Sequence, residues 1–264
     1  MTNFKTGFIG CGNMATAIIN GILDKNIIKA QNINLYDLDN KKAIRFKGAN
    51  VSQSIDQLAV NSDIIFLCVK PNVLQQVASK ISAKGKAVVS IAAGVGTDKL
   101  FTWLPDDTRL LRIMPNTPLM VGKGASVFQQ PDNLTDNERE FIYKVFSSLG
   151  TVEKVNADEM DAVTGISGSG PAYVYLFVDA LAKAGEKQGL NADVSFSLAL
   201  QTFNGACEML KKSDKTPDSL IKDVCSPGGT TIEAMKVFED ENLRLLIEKA
   251  VEACVNRSKE LSGS

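Results

Sequence analysis

The sequence predicts an α/β protein in which a doubly wound parallel sheet is followed by an all-helical C-terminal domain. Over roughly the first 150 residues, short apolar runs alternate with amphipathic stretches, as they do in βαβ units. These runs are nearly continuous in Ile, Val, Leu and Phe, which is typical of strands covered on both faces. After Ala157 the apolar spacing becomes helical and strand signals almost disappear. The 264 residues are therefore predicted to form two domains, 1–160 and 161–264.

The predicted elements of the first domain alternate along the chain. Strands are predicted at residues 6–10, 32–36, 64–69, 87–92 and 109–114. Helices are predicted at residues 13–24, 40–48 and 73–81, with another after Asp98. Because parallel strands need crossover connections, this alternation predicts helices on both faces of the sheet.

The second domain is predicted to contain helices alone. Pro171 heads a long apolar helix, with Ser169 available as its cap and Gly189 placed to end it. Further helices are predicted at residues 193–211, 231–239 and 242–261. Their apolar side chains exceed what one small bundle hides, so we expect a large interface with a second copy. These side chains are Tyr173, Leu176, Phe177, Phe196, Leu198, Leu200, Phe203, Leu245, Leu246 and Ile247.

The composition limits the chemistry of the protein. Lys and Arg number 29 against 30 Asp and Glu, so we expect neither nucleic acid nor an anionic membrane as a partner. No apolar run approaches the roughly 20 residues that span a bilayer. The chain contains no histidine, which excludes Ser-His-Asp and Cys-His nucleophiles and histidine-based zinc sites. We therefore expect a small-molecule substrate and a reaction that needs no imidazole.

The cysteines and the first residues bear on the compartment. Five cysteines are scattered without a C-x-x-C pair, so we expect reduced thiols and no metal site. Residues 1–5 run straight into an apolar strand without a basic region, an apolar signal core or a small-residue cleavage site. A cytoplasmic location is therefore expected.

A glycine-rich motif directly follows the first predicted strand. Gly10, Gly12 and Ala15 fit the pattern G-x-G-x-x-A, and a predicted helix begins at once. Gly10 permits a tight turn, Gly12 lets a pyrophosphate approach the backbone, and Ala15 keeps the helix close to the strand. The motif predicts a Rossmann dinucleotide site at the helix N-terminus; the alternative is a tight turn that binds nothing. The predicted contacts of this glycine loop are Ile9, Gly10, Cys11, Gly12, Asn13 and Met14.

Asp37 ends the second predicted strand, near the spacing expected of the acidic residue that binds an adenosine ribose. A carboxylate accepts a hydrogen bond from the 2′-hydroxyl of NADH and repels the 2′-phosphate of NADPH. The cofactor is therefore predicted as NAD or NADP, with NADH favoured. Two alternatives remain: Asp37 is a surface turn residue, or Lys41, Lys42 and Arg45 attract a phosphate.

Two further segments follow predicted strands at the carboxyl edge of the sheet, where ligands of doubly wound folds bind. They consist of Cys68, Val69, Lys70 and Pro71 after one strand and Ala92, Ala93 and Gly94 after the next. We expect both segments to surround the nicotinamide half of the cofactor. For Lys70, a solvated lysine before a turn is an equally good interpretation.

Five stretches of sequence together resemble one family. They are residues 7–14 (GFIGCGNM), 68–71 (CVKP), 112–118 (RIMPNTP), 165–173 (GISGSGPAY) and 226–231 (SPGGTT). The match runs nearly end to end, and the last two stretches lie in the helical domain, where dehydrogenases in general do not share them. On these residues the chain resembles the pyrroline-5-carboxylate reductases.

The resemblance implies NAD(P)H-dependent reduction of 1-pyrroline-5-carboxylate to L-proline, the last step of proline biosynthesis, in dimers that often assemble into decamers. It also implies a cofactor contact at Asn116 and two candidate catalytic residues, Thr231 and Lys70. The Thr231 hydroxyl would then meet the ring nitrogen of the substrate. The implied contacts of the substrate carboxylate are Ser226, Gly228, Gly229 and Thr230.

The chain departs from the family pattern at two positions that bear on NADP binding. Asp37 stands where many members have Ser, Thr or Asn. Ile55, beside Ser54, stands where some members place an Asn that contacts the cofactor.

Two glycine-rich loops of the helical domain have structural alternatives. Residues 226–231 open a predicted helix, so their N–H groups suit a carboxylate, but Thr230 and Glu233 also fit a capping box that needs no ligand. Residues 168–171 fit either a turn before a capped helix or a loop that faces the substrate.

Rival functions are a reductase of another imine, an enzyme like the β-hydroxyacid dehydrogenases, and a non-catalytic NAD-binding sensor.

Overall fold

The structure, a computed structural model, describes residues 4–262. Residues 1–3, on which part of the cytoplasmic expectation rests, and residues 263–264 lie outside the described range. The chain forms two compact units, one of Met1–Ser169 with Cys254–Ser264 and one of Gly170–Ala253. The first unit therefore includes the end of the last helix as well as the sheet.

Eight strands form one sheet in the first unit. They are β1 (Thr6–Ile9), β2 (Ile33–Tyr36), β3 (Asn50–Val51), β4 (Ile64–Leu67), β5 (Ala87–Ser90), β6 (Arg109–Pro115), β7 (Gly124–Gln130) and β8 (Gly150–Asn156). Their order is β3-β2-β1-β4-β5-β6-β7-β8, and all neighbours are parallel except β6 and β7. The first six strands follow the Rossmann order, with the switch point between β1 and β4. The predicted doubly wound parallel sheet is confirmed, whereas β3, β7 and β8 were not predicted.

Helices cover the sheet in the first unit and make up the second. The first unit contains α1 (Asn13–Asp24), α2 (Asn40–Ala43), α3 (Ile55–Val60), α4 (Pro71–Ala78), α5 (Thr97–Trp103), α6 (Asp136–Ser147) and α7 (Met160–Val163). The second contains α8 (Gly170–Lys187), α9 (Ala192–Lys212), α10 (Pro217–Val224), α11 (Thr230–Asp240) and most of α12 (Leu243–Ser262). Short 3-10 turns occupy Ala30–Asn32, Thr117–Val121 and Ala157–Glu159, and a π-helical turn occupies Thr164–Gly168.

Apolar side chains are buried on both faces of the sheet, as the continuous apolar strands predict. On one face the rings of Phe8 and Phe66 stack 4.6 Å apart and pack with α1 and α6. On the other face Ile65, Leu67 and Val88 pack with residues of α3, α4 and α5. The strand ends that carry the predicted cofactor loops are therefore held between two layers of core.

The helix predicted at 73–81 is Pro71–Ala78 in the structure, and two further predicted boundaries are wrong. The predicted helix 40–48 ends at Ala43, because the chain turns to bury Phe46 and Gly48 takes a positive φ of 85°. Ser169 does not cap a helix at Pro171, because the chain is already helical from Met160 and Ser169 has helical dihedrals.

The segment between Met160 and Ser169 packs against β6. Met160 is buried with Met114, and Asn116 donates a hydrogen bond from Nδ2 to the Ser167 carbonyl at 3.1 Å. A Cβ at Gly168 would lie 2.6 Å from Met114 Cε, so a larger residue there would displace the methyl group of Met114.

The last turns of α12 contact the same segment. Ser258 Oγ donates to Asp161 Oδ1 at 2.6 Å, and Ser169 Oγ lies 3.1 Å from Cys254 Sγ. These contacts explain why the end of α12 groups with the first unit.

Helix α6 begins with a capping box that also anchors β6. Thr135 and Glu138 exchange backbone and side-chain hydrogen bonds, and Glu138 accepts two further bonds from Arg109, at 2.7 Å from Nη2 and 2.9 Å from Nε. Burial alone would raise the pKa of Glu138, but the bonds from Arg109 and Thr135 outweigh it and hold that pKa below its ordinary value. The ionised carboxylate therefore stabilises the fold.

We expect Glu138→Gln to lower the free energy of unfolding by about 1 kcal/mol at neutral pH, because the charge-assisted bonds to Arg109 are weakened. Since the folded pKa is depressed, this contribution is present above the ordinary value of 4.5 and is lost as the pH falls through the folded pKa. Urea unfolding at about pH 7 and in steps of decreasing pH below 4.5 measures the difference. The exposed Glu140→Gln on the same helix is the control. A difference between Glu138→Gln and the parent that does not shrink as the pH falls below 4.5 would contradict the assignment.

The second unit has a small core and a large apolar surface. Helices α8 and α9 pack closely: Ser195 Oγ donates to the Ala182 carbonyl at 2.6 Å, and a Cβ at Gly185 would collide with that hydroxyl. The buried apolar residues of this unit are Val178, Ala182 and Ala199. Large exposed apolar side chains include Leu176, Phe196, Leu198, Leu200, Leu245, Leu246 and Ile247. Within the described residues, no helix combines the length and the apolar character needed to cross a membrane.

Candidate active site

The turn after β1 lies against the end of β4. Gly10 has a φ of 92° and donates its N–H to the Tyr36 carbonyl at 2.8 Å. A Cβ at Gly10 would lie 2.6 Å from the Cys68 carbonyl oxygen and 2.9 Å from a methyl group of Val69. Both the backbone conformation and the close contact therefore require glycine. The structure brings the first two predicted cofactor segments together at the switch point of the sheet.

Gly12 is glycine for a different reason. Its dihedrals, φ −72° and ψ −168°, suit any residue, and no atom of the described residues lies within 4 Å of where its Cβ would be. Helix α1 begins at Asn13, no side chain caps it, and Ala15 is fully buried against the sheet. The first-turn N–H groups of α1 thus lie behind an open surface, which fits a phosphate group.

Asp37 lies at the glycine loop, although it is distant in sequence. Its Oδ2 accepts the Cys11 N–H at 2.7 Å, and its Oδ1 accepts the Asp39 N–H at 2.9 Å. The second bond is typical of a turn residue, which is the alternative role of Asp37 that the sequence left open. The first places the carboxylate beside the loop, as the ribose interpretation requires.

A cavity of about 160 Å³ lies beside Asp37 and Gly10. Its walls include the predicted residues Ile9, Gly10, Asp37 and Val69, together with Tyr36, Leu38, Ile55, Val73, Gln76, Val77 and Lys80. Most of these side chains are apolar, which suits a flat aromatic base. Leu38 is 94% exposed at the edge of this space. Except for Ile55, noted as a departure from the family pattern, the additional wall residues were missed, although the i, i+3, i+4 spacing of Val73, Gln76 and Val77 on one helix was a usable signal.

The thiols of the two cofactor segments are not nucleophiles. Burial, followed by the charge of Asp37, raises the pKa of the Cys11 thiol to about 12. Burial also raises the pKa of the Cys68 thiol. Both therefore remain protonated near neutral pH. All five cysteines are free, and within the described range no group of cysteine and carboxylate side chains is arranged to hold a metal ion.

The remaining predicted cofactor residues differ in availability. Lys70 precedes α4 and is exposed, and its side chain makes no hydrogen bond or ion pair with any described residue. Ala92 is buried, and Gly94 has a φ of 69°. Asn116 uses its amide internally, because its Oδ1 accepts the Ala125 N–H at 2.9 Å and its Nδ2 is bonded to Ser167. Its cofactor contact stays a prediction.

The loop at residues 226–229 forms a tight turn in the second unit. The Gly229 N–H donates to the Ser226 carbonyl at 3.0 Å, and Gly228 has a φ of 69°. A Cβ at Gly229 would collide with the Ser226 hydroxyl and lie 3.1 Å from the Ser226 carbonyl oxygen, so a larger residue there would force Ser226 to move. The turn leads directly into α11.

The capping-box interpretation of this loop is wrong. Helix α11 begins at Thr230 with Gly229 as its N-cap, so Thr230 lies one position too late to cap it. Glu233 pairs instead with Lys236, with a distance of 2.7 Å between Oε1 and Nζ. No side chain caps the first turn of α11, which leaves it suited to a carboxylate.

Thr231 is half-buried and lines a cavity of about 520 Å³ formed by α9, α10 and α11. The other walls are mostly apolar: Ala206, Met209, Leu210, Pro217, Leu220, Ile221, Val224, Cys225 and Met235, with Asp223. Thr231 thus brings a hydroxyl to an otherwise largely apolar surface of this unit.

The chain is similar to known proteins over nearly its full length. A family model described as Pyrroline-5-carboxylate reductase dimerisation matches residues 157–261, and one described as NADP oxidoreductase coenzyme F420-dependent matches residues 5–94. The pyrroline-5-carboxylate reductase of Glycine max is 40% identical over 98% of this chain and 97% of that protein. The enzyme of that name from Escherichia coli (strain K12) is 35% identical over 98% and 99%. A crystal structure of a Plasmodium falciparum pyrroline carboxylate reductase with NADP bound is 35% identical, with a TM-score of 0.90 over 99% of both chains.

Proposed function

This chain belongs to the pyrroline-5-carboxylate reductase family, and on that premise we propose how its own residues reduce 1-pyrroline-5-carboxylate to L-proline, the last step of proline biosynthesis. A bound nicotinamide cofactor supplies the hydride. The observation that carries the proposal is the open, uncapped first turn of α1 behind Gly12, next to the cavity that Asp37 borders. A pyrophosphate fits the helix N-terminus, and an adenosine fits the cavity.

The absence of histidine agrees with this reaction. A cyclic imine is basic enough to take its proton from water near neutral pH, so hydride adds to a carbon that is already electrophilic. The product is a secondary amine, and no imidazole has to donate a proton. The protein contributes proximity and orientation of the substrate ring.

We assign the two loops to the two ligands. The turn at 226–229 and the first turn of α11 hold the substrate carboxylate, and the Thr231 hydroxyl orients the ring nitrogen; the uncapped helix start supports this assignment. Lys70 is the second catalytic candidate, supported by its exposed ammonium group. The proposed carboxylate contacts are Ser226, Gly228, Gly229 and Thr230. The proposed cofactor contacts are Ile9, Gly10, Cys11, Gly12, Asn13, Met14, Asp37, Cys68, Val69, Lys70, Pro71, Ala92, Ala93, Gly94 and Asn116.

Asp37 is proposed to make the protein favour NADH. We expect Asp37→Asn to shift the ratio of kcat/KM values toward NADPH by about tenfold, because the charge that repels a 2′-phosphate is removed. Asparagine keeps an acceptor for the Cys11 N–H, whereas a shorter side chain would release the glycine loop. Steady-state rates with both cofactors measure the shift. A parent protein that strongly prefers NADPH would contradict the role of Asp37.

We propose a homodimer formed through the helical domain at 161–264, assembling further to a decamer. The exposed apolar side chains of α8, α9 and α12 support it, as does the match of residues 157–261 to a dimerisation family. Light scattering on the size-exclusion peak is expected to give a mass that is a multiple of the mass of one chain. The enzyme activity is expected to elute in that same peak. Full activity at the mass of one chain would contradict the proposal.

The reaction is tested by following the oxidation of NADH and NADPH with 1-pyrroline-5-carboxylate. The control follows the reduction of NAD+ and NADP+ with a β-hydroxyacid. Consumption of reduced cofactor with the imine alone is the expected result. Turnover of the hydroxyacid, or no turnover at all, would overturn the assignment. We also propose a cytoplasmic location, which five free thiols support.

A further inference from the structure

Arg45 contacts the glycine loop from a distant part of the sequence. Its Nη2 donates to the Cys11 carbonyl at 2.8 Å and also to Thr16 Oγ1. Its guanidinium carbon lies 4.9 Å from the centre of the Phe46 ring, and Phe46 is buried. The guanidinium group is thus held between the Phe46 ring and the glycine loop.

The backbone of Cys11 is held on both sides. Asp37 accepts the N–H of Cys11, Arg45 binds the carbonyl of Cys11, and the Gly12 carbonyl accepts both the N–H and the hydroxyl of Thr16, at 2.9 and 2.7 Å. The Cys11 N–H and the carbonyls of Cys11 and Gly12 therefore all have partners within the protein. What remains for a ligand is the first turn of α1 behind Gly12.

We propose that Arg45 is a positioning residue that fixes the glycine loop for the pyrophosphate common to NADH and NADPH. The proposal rests on the dinucleotide site proposed above and adds a residue that lies outside the glycine motif. Because the loop must be held whichever nucleotide binds, Arg45 acts equally on both cofactors. It does not determine the choice between them.

The competing role for an arginine at this place is direct binding of a 2′-phosphate. The geometry is against it, because Nη2 already serves the Cys11 carbonyl and Thr16, and swinging outward would leave both without their donor. The contact with Phe46 holds the guanidinium in the same inward position. Lys42, three residues earlier, is exposed and its side chain makes no hydrogen bond or ion pair with any described residue, so it provides a matched removal of charge.

The experiment measures dissociation constants of the full-length protein for adenosine, ADP, NADH and NADPH by calorimetry or fluorescence. We expect Arg45→Met to weaken ADP, NADH and NADPH alike, by about tenfold, with adenosine changed less than about twofold. Arg45→Lys keeps the charge but loses the planar guanidinium that lies over the Phe46 ring, so most of the loss is expected to remain. Lys42→Met is expected to bind all four ligands as the parent does.

Selective weakening of NADPH in Arg45→Met would assign Arg45 to the 2′-phosphate and overturn the proposal. An equal loss in Lys42→Met would assign the effect to overall charge and overturn it as well. Unchanged ADP and NADH binding in Arg45→Met, with a parent that binds both, would remove the positioning role and leave the proposed function intact. A parent that binds neither NADH nor ADP would overturn the dinucleotide site itself, and this inference with it.

Discussion

A Gly12→Val variant is expected to bind NADH and ADP at least about a hundredfold more weakly than the parent, with little change in thermal stability. The dihedrals of Gly12 suit valine, and no described atom lies within 4 Å of the added Cβ. The side chain would instead fill the open surface in front of α1, where the pyrophosphate is proposed to lie. Titration of NADH and a thermal melt of the same sample measure the two effects.

Gly10→Ala is the matched control for this variant. Its Cβ would lie 2.6 Å from the Cys68 carbonyl oxygen, and the backbone there has a φ of 92°. We expect this smaller substitution to destabilise the fold itself, in contrast to Gly12→Val. If Gly12→Val keeps its affinity for NADH, the pyrophosphate does not lie at this helix, and the cofactor site has to be sought elsewhere.

The second large effect is expected for Thr231→Ala. Loss of the hydroxyl should lower kcat/KM for the imine by about tenfold to a hundredfold, because one hydrogen bond to the substrate ring is removed. The dissociation constant of NADH should stay the same, since Thr231 is proposed to contact substrate alone. Steady-state kinetics with NADH titration separates the two quantities.

Thr230→Ala provides the comparison on the same turn. Because Gly229 rather than Thr230 is the N-cap of α11, neither threonine variant is expected to lose a helix cap or much stability. A Thr231→Ala protein that melts earlier but turns over normally would make this threonine a packing residue of the cavity wall. Loss of NADH binding would place it at the cofactor instead.

Strands with continuous apolar sequence were predictable, and the others were not. β4 and β5, with IIFL and AVVS, are buried on both faces, so their hydrophobicity alone marks them. β7 reads GASVFQQ and pairs antiparallel to β6, and β3 is two exposed residues long; neither has a pattern that distinguishes it from a loop. The helix from Met160 through the π-helical turn was misjudged because glycines at 165, 168 and 170 are typical of a turn.

At the candidate site, the close approach of the glycine loop to the end of β4 was predictable, because glycine spacing has a geometric cause. Gly10 and the end of β4 meet as expected, since parallel strands end at one edge of the sheet. Among the cavity walls, Leu38 had no pattern that marked it, whereas the helical spacing of Val73, Gln76 and Val77 was a usable signal. The sequence identified Arg45 only as a positive charge that could attract a phosphate. Its contact with the loop depends on the end of α2 at Ala43, and the sequence predicted a longer helix there.

The position of the last helix determines which part of the protein a C-terminal truncation would affect. Ser258 and Cys254 bind Asp161 and Ser169, so the closing turns of α12 are structural parts of the unit that contains the sheet. A premature stop just before Cys254 would keep every residue of Gly170–Ala253. It would still remove the contacts of Cys254 and Ser258 and so destabilise the nucleotide-binding half, the unit that contains the sheet. The chain leaves the unit that contains the sheet after Ser169 and returns to it at Cys254. The side chains of these two residues are in contact. The helices between them form an inserted module, and a shortened chain that joins these two positions would retain the native ends of the nucleotide-binding half.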